Sequence, residues 1–178
     1  MEFAVGDKVV HPHHGPGQVT GLEHREFLDG KKRYYVIEIP AMELTVRVPR
    51  RRVDHVGVRP AMSRAKVARV LETLRSEPDL LPHDHKERQE SVWEKIRTSR
   101  PIPTAEAVRD LAWRSQYAHL TKKDSELLKR GQDFLAAEIA LVSDSEVSEA
   151  CERIDAALAM ATAARMEREE PRELGGAA

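Results

Sequence analysis

Residues 32–49 read KRYYVIEIPAMELTVRVP. Two alternations of period two stand back to back. Tyr35, Ile37 and Ile39 fall on one side of the first, and Leu44, Val46 and Val48 on one side of the second. Thr45 and Arg47 fall on the opposite side of the second run. Successive strand residues point to opposite faces, and β-branched and aromatic side chains suit a half-buried pleated surface. Pro40 and Pro49 end the runs, because proline has no N–H to give a ladder. The stretch therefore predicts two strands with one buried face, and it puts Arg47 on the polar one.

The same pattern extends upstream. Residues 8–22, KVVHPHHGPGQVTGL, hold two short β-type runs around a Pro/Gly turn. EFLDGKKR, residues 26–33, carries Asp29-Gly30, a strong hairpin signal. VDHVGV, residues 53–58, supplies one more short piece. Four or five short antiparallel strands in residues 1–59 predict a small barrel of the SH3 or Tudor type.

From Ser63 the period changes to that of a helix. Ser63 caps a helix with Val67, Val70, Leu71 and Leu74 inward. After the loop SEPDLLP, a second helix runs from about Asp84 to Thr98 with Val92, Trp93 and Ile96 as its apolar marks. SRPIPT is expected to break the helix, with Thr104 capping a third. Thr121 and Asp124 predict a capping box on a long fourth helix, inside which Gly131 implies close packing. Ser143 and Glu146 predict another box on a fifth, carrying Val147, Cys151, Ile154 and Leu158. Residues 167–178 are expected to be a disordered tail. The fold class is α+β: a Tudor/SH3-like antiparallel β-barrel over 1–59, then an all-α bundle of about five helices over 63–166.

Composition narrows the function. Aromatics are 4% of the chain and charged residues 33%, which leaves little material for an aromatic-lined pocket. Net charge is −1, unevenly spread: residues 143–178 hold 4 Lys/Arg against 9 Asp/Glu, so a mildly basic body precedes an acidic tail. A weakly basic body fits auxiliary contact with nucleic acid. One cysteine, no signal-peptide core and no long apolar run imply a cytoplasmic protein without a membrane partner.

The histidine knot His11, His13 and His14 raises the question of a metal or catalytic site. Zinc needs three or four converging ligands, and adjacent strand residues diverge. Pro12, Gly15 and Gly17 instead describe a tight turn. No nucleophile elbow, HExxH, P-loop or dinucleotide fingerprint occurs, so no catalytic residue, metal or cofactor is expected and the chain is read as a binding protein. Arg50, Arg51 and Arg52 read equally as a solvated basic loop and as a contact for phosphate or an acidic partner. Trp93 and Trp113, at helical core spacing, are expected to pack inward.

FAVGDKVVHPHHGPGQVTGLE, LTVRVPRRRVDHVGVR, EAVRDLAWR and LLKRGQDFLAAEIAL together resemble the CarD family of bacterial transcription regulators, from Phe3 to about Leu158. The resemblance implies a Tudor-like unit that docks on the RNA polymerase β subunit. It also implies a helical unit that meets promoter DNA at the upstream edge of the bubble, where a tryptophan wedge steadies the open complex. Arg25 and Arg47 fall on positions the family uses against the polymerase. His85 falls on the wedge position, Glu90 on a position that is often basic, and Arg88 on a retained basic one. His85, Lys86 and Arg88 are thus the residues expected near DNA, and a monomer is expected. The alternative is a divergent relative that docks on polymerase or another factor with little DNA contact.

Overall fold

The computed structural model describes residues 1–27 and 30–169. Five strands, β1 (Lys8–His11), β2 (Gly15–Phe27), β3 (Gly30–Ile39), β4 (Leu44–Pro49) and β5 (Arg59–Pro60), pair antiparallel in the order β4-β3-β2-β1-β5. The sheet does not close, so β4 and β5 are its two edges. The β2–β3 register runs from Gln18↔Glu38 to Phe27↔Gly30, with a bulge between Val19 and Gly21. Asp29, at the predicted hairpin tip, lies outside the described residues. Alternation decides the core as expected: Tyr35, Ile37, Ile39 and Val48 are buried with Val9, Val19 and Phe3, while Arg47 and Glu38 face out. Tyr35 is also tied by its hydroxyl, which accepts from the Phe3 N–H at 3.1 Å. Gly17 is needed on β2, because a Cβ there would lie 2.3 Å from the Glu38 carbonyl oxygen.

VDHVGV is not a strand. Val53–Val56 form one helical turn, α1, ended by Gly57 at φ +83°. The bundle follows: α2 (Arg64–Arg75), α3 (His85–Arg97), α4 (Pro101–Tyr117), α5 (Lys122–Ser143) and α6 (Val147–Glu169). Ser63 caps α2 by accepting from Lys66 N–H, and Asp84 caps α3 by accepting from Lys86 and Glu87. The Thr121/Asp124 box is formed in both directions on α5. Gly131 packs as tightly as its spacing implied: a Cβ would lie 2.6 Å from Val108 Cγ2.

Three expectations are overturned. SRPIPT, expected to be non-helical throughout, is so only at Ser99 and Arg100 in the turn after α3, and α4 begins at Pro101. Both prolines fall in its first turn, where a helix has no use for their missing N–H groups. Thr104 therefore lies inside α4, fully buried, and caps nothing. Ser143 is the last residue of α5, followed by Asp144 at φ +55°, so it cannot cap α6, which starts at Val147. Helix α6 continues to Glu169, and residues 170–178 lie outside the described residues.

The main helical core joins α2, α4, α5 and α6 through Val70, Leu74, Val108, Leu135, Ile139 and Ile154. A second cluster, Val92, Ile96, Ala107, Leu111 and Leu127, holds α3 onto α4 and α5. Sheet and bundle are joined by one buried carboxylate. Glu138 on α5 has no exposed surface and accepts from Arg59 Nη1 at 2.8 Å, Arg59 Nη2 at 2.7 Å and Met62 N–H at 2.8 Å. Arg59 also donates to the Ser99 carbonyl at 2.9 and 2.6 Å, and the Ser99 hydroxyl donates to the Pro12 carbonyl at 3.1 Å. Truncating Glu138 leaves a largely buried guanidinium and an N–H unpaired. Glu138→Ala is expected to lose about 3–5 kcal/mol in urea unfolding, and Glu138→Gln, which keeps one acceptor, clearly less.

Candidate functional site

Two surfaces hold the residues singled out above. The first is the outer face of the sheet beside its open edge. Glu23 on β2 pairs across to Tyr34, and Arg47 on β4 pairs across to Val36, so both lie on the solvent side of the ladder. Arg47 grips Glu23 bidentately, Nε to Oε2 at 2.9 Å and Nη2 to Oε1 at 3.1 Å. Arg25, two residues along the same strand face, reaches Glu23 Oε2 at 3.4 Å. The Arg47 bond and charge, helped by Arg25, hold the Glu23 carboxyl below the usual carboxylate range. Arg47 and Arg25 side chains remain 41% and 51% exposed, so this is a pre-oriented pair of guanidiniums in water and not a buried ion pair. Their common carboxylate was missed in the sequence reading. Its signal was the i, i+2 spacing of Glu23 and Arg25 in GLEHREF, which places both on one strand face.

The arginine triplet divides. Arg50 pairs with Glu2 at 2.8 Å and lies over the Tyr35 ring, 5.9 Å from its centroid, so it closes the N-terminal segment onto the sheet. Arg51 and Arg52 stand exposed on a tight 3-10 turn.

The second surface is where α3 and α5 begin. Buried Arg88 on α3 meets buried Asp124 on α5, Nη2 to Oδ2 at 2.8 Å and Nε to Oδ1 at 3.3 Å, and its Nη1 donates to the Pro82 and His83 carbonyls. Gln89 Nε2 donates to Thr121 Oγ1 at 3.0 Å. These bonds draw the two helix N-termini side by side. Burial pushes the Asp124 carboxyl up, but bonds from Arg88 and Thr121 outweigh it and hold the group below its ordinary range.

Arg88, expected near DNA, is only 2% exposed with its guanidinium fully engaged in the interior, so it has no free donor for a phosphate. An exposed pair of first turns, with His85 and Lys86 on α3 and Lys122 and Lys123 on α5, is what faces water. The two α5 lysines were not singled out from sequence, because only the Arg88–Asp124 pair brings them beside α3. Glu90 is also exposed.

The tryptophans part company. Trp113 is buried with the Arg165 guanidinium 4.8 Å from its ring centroid. Trp93 is 39% exposed under Arg130, 5.0 Å from its centroid, contrary to its expected place in the core. The inward stripe of α3 is Arg88, Val92 and Ile96, at intervals of four, and Trp93 lies about 100° round from it.

The histidine knot is a stacked turn. His11 is buried, its ring 4.6 Å from that of His14 and 6.0 Å from that of His13, and its Nδ1 accepts the His13 N–H at 3.2 Å. Among the described residues no group of three His, Cys, Asp or Glu side chains could hold a metal ion. None of the described helices is long and apolar enough to cross a membrane.

Comparison with known proteins agrees with this geometry. The family model described as the CarD-like/TRCF RID domain matches residues 3–62, and the model described as CarD, C-terminal domain, matches residues 69–155. The chain is also similar to the putative transcription factor YdeB of Bacillus subtilis (strain 168). The two are 30% identical over 142 residues, which cover 79% of this chain and 92% of the relative.

Burial, and then the neighbouring His14 and His13, lowers the His11 pKa from 6.5 to about 4. The unfolded chain then binds more protons than the folded one between those two values. Stability contributed by neutral His11 is present above pH 6.5 and is lost as pH falls towards 4. The loss should reach about 3 kcal/mol at most. Urea unfolding at pH 7.5 and pH 5 with wild type and His11→Gln checks this: the variant should show the shallower acid dependence.

Proposed function

The chain belongs to the CarD family of transcription regulators, and from that footing we propose how its two surfaces act. The unit over residues 1–59 docks on the RNA polymerase β subunit. The unit over residues 63–166 lies against promoter DNA at the upstream edge of the bubble and modulates the stability of the open complex. The effect is one of binding equilibrium, in which no bond is made or broken.

The observation that carries this reading is the Arg47–Glu23–Arg25 cluster, exposed on the outer face of an open sheet. A bidentate guanidinium held in place by one carboxylate is ready to share itself with acidic groups of a partner, with little ordering entropy left to lose. Arg51 and Arg52, on the turn after β4, extend the positive surface. The fixed Arg59–Glu138 junction supports the second half of the proposal. A regulator that bridges polymerase and DNA needs its two faces in one orientation.

The DNA-facing half is expected to act weakly. Histidine at position 85 offers less stacking area than an indole for insertion at a base step. Glu90 repels phosphate, and Arg88 is engaged internally. Lys86, Lys122 and Lys123 supply sequence-independent attraction at the paired helix N-termini. These features favour, within the same family reading, a polymerase-docking regulator with light DNA contact.

Two measurements test the proposal. Arg47→Glu should abolish co-purification with the polymerase β subunit while leaving the fold intact by circular dichroism and melting temperature, since the lost pair is exposed; unchanged binding would sink the docking assignment. His85→Trp combined with Glu90→Lys should lengthen the open-complex lifetime several-fold over wild type in a competitor-challenge assay. If wild type already gives the full effect and Trp93→Ala removes it, the exposed Trp93 is the wedge instead.

A further inference from the structure

We propose that the recess between α2 and α6 binds an organic phosphate of nucleotide size. The recess is a shallow depression open to solvent, of about 340 Å³. Arg64, Arg75 and Arg153 line it, and Val67, Ala68 and Leu71 form an apolar floor between them. On α2 the residues 64, 68, 71 and 75 fall at i, i+4, i+7 and i+11, so they form one stripe along the helix. Arg64 and Arg75 stand roughly 16 Å apart along that stripe. Arg153 faces them from α6, and Ser143, the last residue of α5, closes the end nearest Arg64.

The three arginines are not equivalent. Arg64 is already engaged: its Nε donates to the Val142 carbonyl at 3.2 Å and its Nη2 meets Asp144 at 3.0 Å. Asp144 in turn holds Lys8 of β1. Arg64 thus covers the negative end of α5 and fixes that wall of the recess. Arg75 and Arg153 are exposed and, among the described residues, have no carboxylate partner. Two uncompensated guanidiniums over an apolar floor suit a ligand that carries phosphate at one end and a flat apolar body at the other. Guanidinium pairs bidentately with phosphate, and the aliphatic floor takes the face of a base. The lining is local, seven residues on α2, α5 and α6, which fits a small molecule rather than a duplex, whose backbone is met by surfaces that track it. The site is separate from the sheet face around Arg47 and from the α3/α5 surface, so it does not rest on the proposed docking.

Calorimetric titration of the full chain with ADP, without polymerase or DNA, tests the site. ADP should bind one-to-one. Arg75→Ala with Arg153→Ala should weaken it about tenfold or more. Arg69→Ala, at an exposed α2 position outside the recess, should leave it within about twofold. Ala68→Glu, which puts a carboxylate on the floor, should match the double variant and serves if that variant fails to fold. Inorganic pyrophosphate should bind more weakly than ADP, because it cannot use the floor. Absence of saturable ADP binding, an equal loss in Arg69→Ala, or pyrophosphate binding as tightly as ADP would each overturn the proposal.

Discussion

The orientation of sheet against bundle depends on the carboxylate of Glu138, which is wholly buried between them. A buried carboxylate is costly unless every lone pair is met. Here Arg59 of β5 and the Met62 N–H, two residues past that strand, meet it. Once the sheet's last strand is held on α5, the Ser99 carbonyl and hydroxyl complete the junction, at the turn between α3 and α4. Ser99 sits there at φ +53°, its carbonyl held by Arg59 and its hydroxyl donating to the Pro12 carbonyl. Such a junction is worth less as net stability than as orientation. Breaking one partner is far more costly than the pair is favourable, so alternative arrangements of the two units are disfavoured.

The arginines show how one residue type is divided among roles by burial. Arg88 and Arg59 are structural, each meeting a carboxylate with no exposed surface together with backbone carbonyls. Arg64 satisfies the end of α5, and Arg50 closes the N-terminal segment over Tyr35. Arg25 and Arg47 keep about half their surface in water while aligned by one glutamate. Only the exposed groups can exchange a partner without leaving a charge stranded, which is why the proposed docking role is given to them and not to the buried ones.

Asp124 does comparable double duty in the bundle. It closes the capping box of α5 and holds Arg88 of α3, so the start of one helix is the anchor of another. The same carboxylate that satisfies orphan N–H groups thereby decides which lysines stand beside His85. Two segments distant in the chain are thus brought side by side at a point where both have backbone donors and cationic side chains in their first turns.

What the sequence determined by itself was the part governed by local period and local chemistry. Alternation over 32–49 placed the sheet core and put Arg47 in solvent. Helical spacing placed Val67, Val70, Leu71 and Leu74 inward. Ser63 and the Thr121/Asp124 pair marked helix starts, and Gly131 marked a close crossing. Family motifs were legible for the same reason, being fixed spacings. The tertiary structure decided whatever depends on a partner far along the chain. Arg88 looks like any exposed helical arginine until Asp124 is brought against it. Trp93 sits at core spacing beside Val92, yet the stripe that meets α4 and α5 runs through positions 88, 92 and 96 and leaves it under Arg130. Glu138 carries no local mark of burial at all. Its partners lie 76 and 79 positions away, and a charge is recognisable as interior only once the groups that neutralise it have been folded onto it.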